Sequence, residues 1–127
     1  MPHMLPDSPA CYLDLLRDVN RPGFGVHVDI VNMLVSPRVY FSHRRLVRET
    51  FGLLGPHVRS CHIKDAVLDH GLTVSIRETE CGSGGLDLAY YIREADRTNP
   101  DLPMIIEHLP DLSGYKRSIN YIRGLQS

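Results

Sequence analysis

Gly25-Val26-His27-Val28-Asp29-Ile30-Val31-Asn32 decides how the chain is read. Alternation over Phe24–Val31 puts His27 and Asp29 on one face and Val26, Val28 and Ile30 on the other, the two-residue period of a half-buried strand. The polar groups gather at its carboxyl end. Two later stretches repeat the plan. Val58-Arg59-Ser60-Cys61-His62-Ile63-Lys64-Asp65 is a strand with Ser60, His62 and Lys64 on one face. Pro103-Met104-Ile105-Ile106-Glu107-His108 predicts a third strand over Met104–Glu107, with Glu107 on the face of Ile105 and His108 on the outward one.

Between these strands lie helical patterns. Ser8-Pro9 is a helix start, a capping hydroxyl followed by proline at the first helical position. Tyr12, Leu15, Leu16 and Val19 give the apolar face of that helix. Asn32–Phe41 reads as a loop containing Pro37. Ser42 caps a helix over His43–Leu54, with Leu46, Val47, Phe51 and Leu54 inward and Arg44, Arg45 and Arg48 on a solvated face. After the second strand, Ala66-Val67-Leu68 and Leu72–Ile76 read as a small hairpin around a glycine turn. Cys81-Gly82-Ser83-Gly84-Gly85 reads as a mobile loop, with a phosphate cradle as the weaker alternative because the spacing is not that of a P-loop. Leu86–Thr98 and Asp111–Gly124 are amphipathic helices. Strands and helices in strict alternation imply an α/β fold: parallel strands with helices packed outside them.

The bulk numbers narrow the class. The 127 residues suffice for one domain. Fourteen basic and 15 acidic residues leave a formal net charge of −1, which opposes a nucleic-acid or membrane partner held by charge. No apolar run is long enough to span a bilayer, and none follows a basic N-terminus as in a secretory leader. Cys11, Cys61 and Cys81 are odd in number and widely spaced, which suits a reducing cytoplasm better than a disulfide framework.

Asp29, His62 and Glu107 each fall near the carboxyl end of a strand, the end at which parallel α/β folds build their sites. Two carboxylates and an imidazole suit Mn²⁺, Mg²⁺, Co²⁺ or Zn²⁺, and the absence of thiolates speaks against a structural zinc site.

Taken in order, GVHVDIVN, CHIKD, E-x-x-C-G-x-G-G-L-D and IIEHL resemble the xylose isomerase-like TIM-barrel superfamily, in its sugar phosphate isomerase/epimerase branch. The resemblance runs from about Pro2 to Leu109. It implies a partial (β/α)8 barrel: the last three βα units and a leading helix, with residues 1–127 forming the C-terminal half. A complete barrel takes about 250 residues. It also implies a divalent metal held by four ligands, of which Asp29, His62 and Glu107 take the last three places. The first, a Glu, has no counterpart here, since no acidic residue precedes Asp7. The implied activity is metal-dependent isomerisation or epimerisation of a sugar or sugar phosphate through an ene-diolate, with Glu107 as a catalytic carboxylate. His27, Asn32, Lys64, Asp65 and His108 are expected to touch substrate or to hold the ligands in place; Asn32 stands where epimerase relatives often carry a His. Two alternatives accompany this reading. One is a metal-dependent hydrolase or dehydratase on the same site. The other is a non-catalytic half-barrel that pairs with a second copy or with a missing N-terminal half, because three strands cannot close a barrel.

Overall fold

The computed structural model describes residues 5–126; most of the expected N-terminal loop, residues 1–4, lies outside them. Ser8 Oγ accepts from the Cys11 N–H at 3.2 Å and Pro9 opens helix α1, Pro9–Val19. Three parallel strands follow at intervals: β1 Val26–Asp29, β2 Val58–His62 and β5 Met104–Ile105, in the order β1-β2-β5. Between β2 and β5 the chain makes an antiparallel hairpin, β3 Asp65–Asp69 and β4 Ser75–Thr79. The helices are α2 Pro37–Phe41, α3 His43–Leu54, α4 Leu88–Thr98 and α5 Leu112–Leu125. Helix α3 packs against both α1 and α4, and α4 against α5, so the helices stand side by side in chain order along one face of the sheet.

That face is the core. Val26, Val28, Cys61 and Ile63 point from the strands onto Val47, Phe51 and Leu54 of α3 and Leu88, Ile92 and Ala95 of α4, all buried. The opposite face carries His27, Ser60 and Ile105, and Ile105 is 48% exposed. In a closed barrel such inward residues meet those of the facing strands; among the described residues the parallel sheet has three strands.

The register brings the ligand candidates level. His27 pairs with Ser60, Asp29 with His62, and His62 with Ile105. A shift in register between Val26 and His27 leaves Arg59 as the extra residue of β2. Without that shift, Asp29 and His62 would fall on opposite faces.

Several expectations need correction. The expected loop over residues 32–41 holds a 3₁₀ turn, Val31–Met33, and the helix α2. Ser36 and Pro37 repeat the Ser8-Pro9 signal: Ser36 Oγ accepts from the Val39 N–H at 3.2 Å, with proline at the first helical position. Ser42 stands at the N-cap of α3 as expected, but its side chain makes no capping bond there; its hydroxyl donates to the Arg38 carbonyl at 2.7 Å and closes α2 instead. The first and third strands are shorter than expected, because the chain turns away to present its polar ends. The second hairpin strand runs on to Thr79 rather than stopping at Ile76, with Ala66 opposite Glu78.

The glycine loop is tied to the hairpin by hydrogen bonds to one carboxylate. Asp65, 1% exposed, accepts at Oδ2 from the N–H groups of Gly82 and Gly84, both 3.0 Å, and at Oδ1 from Leu86 and Ala66, at 3.1 and 2.9 Å. The anion this loop cradles is therefore its own Asp65 carboxylate. A side chain at Gly84 would collide with that carboxylate and with the Ala66 carbonyl.

Candidate metal centre

Asp29 ends β1 and is 5% exposed. Its Oδ1 accepts from the Asn32 backbone N–H at 3.1 Å, where the chain turns into the 3₁₀ segment, and its Oδ2 faces the site. His62 ends β2, half-buried, and the Tyr91 hydroxyl of α4 donates to its carbonyl at 2.8 Å. Its Nδ1 lies 3.2 Å from Asp29 Oδ2 and 2.9 Å from Glu107 Oε1. Glu107 follows β5 by two residues. One ligand atom from each of the three residues lies within 4.8 Å of the others. Asp29, His62 and Glu107 thus converge, and the two carboxylates and imidazole are a donor set that fits a divalent cation.

A cation of the chain's own sits against the same oxygens. Lys64 Nζ is 2.7 Å from Asp29 Oδ2, 2.6 Å from Glu107 Oε1 and 2.9 Å from Glu78 Oε1, with its side chain 2% exposed. Burial works against the Lys64 charge, but the hydrogen bonds to Asp29, Glu107 and Glu78 overcome it and hold the ammonium's pKa above its ordinary value. Glu78 feels the reciprocal effect: burial opposes its charge, and hydrogen bonds from Lys64 and His108 overcome it, so its carboxyl sits below the ordinary 4.5.

Glu78 is the residue that the strand pattern missed. It stands in the E-x-x-C-G stretch, but ending the hairpin at Ile76 left it in a loop. The signal lay in alternation carried two residues further, Ile76 to Glu78.

The remaining expected residues divide. His27 packs edge-on against the His62 ring, centroids 4.0 Å apart, with its Nδ1 against Ser60 Oγ. Burial and then the neighbouring His62 hold the His27 pKa below 6.5. His108 is not turned outward: its Nδ1 is 2.9 Å from Glu78 Oε2 and its Nε2 3.4 Å from Glu107 Oε2. The strand has already ended, and a left-handed backbone at His108, φ +59°, swings its side chain toward the cluster, so strand parity no longer applies. Asn32 contributes its backbone N–H to Asp29. Asp65 is committed to the glycine loop and does not join the cluster.

Parallel strands flanked by outer helices, with a two-carboxylate, one-histidine cluster at their carboxyl ends, have the fold of part of a TIM barrel. Solved structures of similar fold include two that are xylose isomerase-like. A xylose isomerase domain protein from Planctomyces limnophilus superposes with a TM-score of 0.72 at 23% identity over 94% of this chain and 41% of its own. A xylose isomerase-like TIM barrel protein from Mycobacterium smegmatis, solved in complex with magnesium, gives a TM-score of 0.67 at 19% identity over 93% of this chain and 39% of its own. The chain thus spans about two fifths of the length of each. No family model and no curated protein sequence matches it. Among the described residues no helix is long and apolar enough to cross a membrane.

Proposed function

We propose that this chain is the C-terminal half of a divalent-metal-dependent sugar or sugar-phosphate isomerase or epimerase, acting through an ene-diolate. The convergence of Asp29, His62 and Glu107 from three adjacent strand ends carries the reading. Asp29 Oδ2, a His62 ring nitrogen and Glu107 Oε1 would hold the metal. When bound, a divalent ion lowers the cost of negative charge on adjacent carbonyl and hydroxyl oxygens of a sugar. Glu107 is the more exposed of the two carboxylates, within reach of a molecule entering from the open side. It therefore suits abstraction of a proton from the carbon next to such a carbonyl. His27, exposed beside His62, lies where a polyhydroxy substrate would need a donor. Asp65 fixes the loop that follows the hairpin, and His108 fixes Glu78.

Titrating Mn²⁺ or Mg²⁺ into the purified chain tests the site. We expect one saturable cation per chain, and at least about a tenfold loss of affinity in each of Asp29→Ala, His62→Ala and Glu107→Ala. Unchanged binding in all three variants would overturn the reading.

The open face supports a second reading, in which the chain is inactive alone and gains a site only on pairing with a second copy or an N-terminal half. Isomerase activity that appears only above a threshold protein concentration, or only on adding such a half, would favour it.

A further inference from the structure

The oxygens that an ion between Asp29, His62 and Glu107 would need are the ones Lys64 already holds. Asp29 Oδ2 and Glu107 Oε1 face His62 Nδ1, and both accept from Lys64 Nζ at charge-assisted distances of 2.7 and 2.6 Å. A doubly charged ion and an ammonium cannot share those oxygens without strong repulsion. The third partner of Lys64 lies outside the triad. Glu78 Oε1 is 2.9 Å from Nζ, and the other Glu78 oxygen is braced by His108 at 2.9 Å. Three carboxylates and one ammonium leave two formal negative charges, the complement of one divalent cation. The hairpin register, which sets Glu78 opposite Ala66, is what delivers the third carboxylate.

Resting on the metal reading above, we propose that Lys64 is a tethered counter-cation that bridges Asp29 and Glu107 in the ion-free site and withdraws onto Glu78 when a divalent cation enters. Glu78 is then a positioning residue for Lys64 rather than a ligand. The pair sets how tightly, and at what charge, a cation is held, because entry requires a charge large enough to displace the ammonium.

The test is a double-mutant cycle on Mn²⁺ affinity, measured by calorimetry on the 127-residue chain. Lys64→Gln should bind Mn²⁺ about tenfold tighter than the unaltered chain, since it removes the competitor, and Glu78→Gln about tenfold weaker, since Lys64 loses its second berth. In the Lys64→Gln background, Glu78→Gln should then change nothing. If Lys64→Gln binds no tighter, or if Glu78→Gln weakens binding equally in both backgrounds, the proposal fails while the metal site stands. If neither the unaltered chain nor Lys64→Gln binds Mn²⁺, both fall. A second measurement needs no substitution. The chain has two lysines, Lys64 and the exposed Lys116. Adding Mg²⁺ should shift the side-chain NMR resonances of Lys64 and leave those of Lys116 in place. Mg²⁺ binding with an unmoved Lys64 signal would overturn the proposal.

Discussion

Asp65 shows how much one buried side chain can organise. Its carboxylate accepts four backbone N–H groups and closes the link between the hairpin and α4. Replacing it with Ala leaves those donors without a protein acceptor, so Asp65→Ala should cost about 3 kcal/mol or more. Urea unfolding measures the loss. The thiols give a second prediction. Cys61 and Cys81 are buried, and burial pushes both pKa values from 9.0 up to about 11. The folded state therefore keeps protons that the unfolded chain releases, and stability should fall as pH rises from about 9 toward 11. The raised Lys64 pKa acts in the same direction above its ordinary 10.5. Denaturation midpoints at neutral and alkaline pH check the sign. In the native chain at neutral pH, Cys11, which is partly exposed, should react first with an alkylating reagent.

At the scale of elements, α3 and α4 fix the outer wall. Leu54 is fully buried at the end of α3, and Leu54→Ala should cost about 2–5 kcal/mol, read as a shift in the thermal midpoint. The two helices are joined through polar groups as well. Asp87 caps α4 by accepting from the Tyr90 N–H at 2.9 Å, and its own N–H donates to His43 Nε2 at 2.8 Å. Arg44 lies over the Tyr90 ring, 4.4 Å from its centre, and Arg45 pairs with Glu49 at 2.9 Å, so these arginines serve their own helical layer.

At the scale of the whole molecule, the described residues form a sheet whose helix-covered face is packed and whose other face exposes His27 and Ile105. Strands β1 and β5 bound a three-stranded sheet, and each offers one unpaired edge among the described residues. Edges of this kind recruit further strands. We expect the 127-residue chain to associate as its concentration rises, measured by size-exclusion chromatography with light scattering. A monomer at every concentration would count against the half-barrel description.

Apart from the short helix α2, the order of helices and strands was legible because capping pairs, breakers and a two-residue or 3.6-residue apolar period are local signals. Ser8-Pro9 and the GVHVD alternation need no distant partner to be read. Asp29, His62 and Glu107 could be picked out because parallel strands deliver their carboxyl ends to one side. What the tertiary structure alone decided was how those ends are wired. The bulge at Arg59 sets Asp29 level with His62, and the hairpin brings Glu78 across to Lys64. The left-handed turn at His108 brings that ring onto the cluster, and the glycine loop closes on Asp65. Each of these rests on contacts between residues far apart in the chain, or on a backbone turn that breaks strand parity. Sequence periodicity carries no record of either.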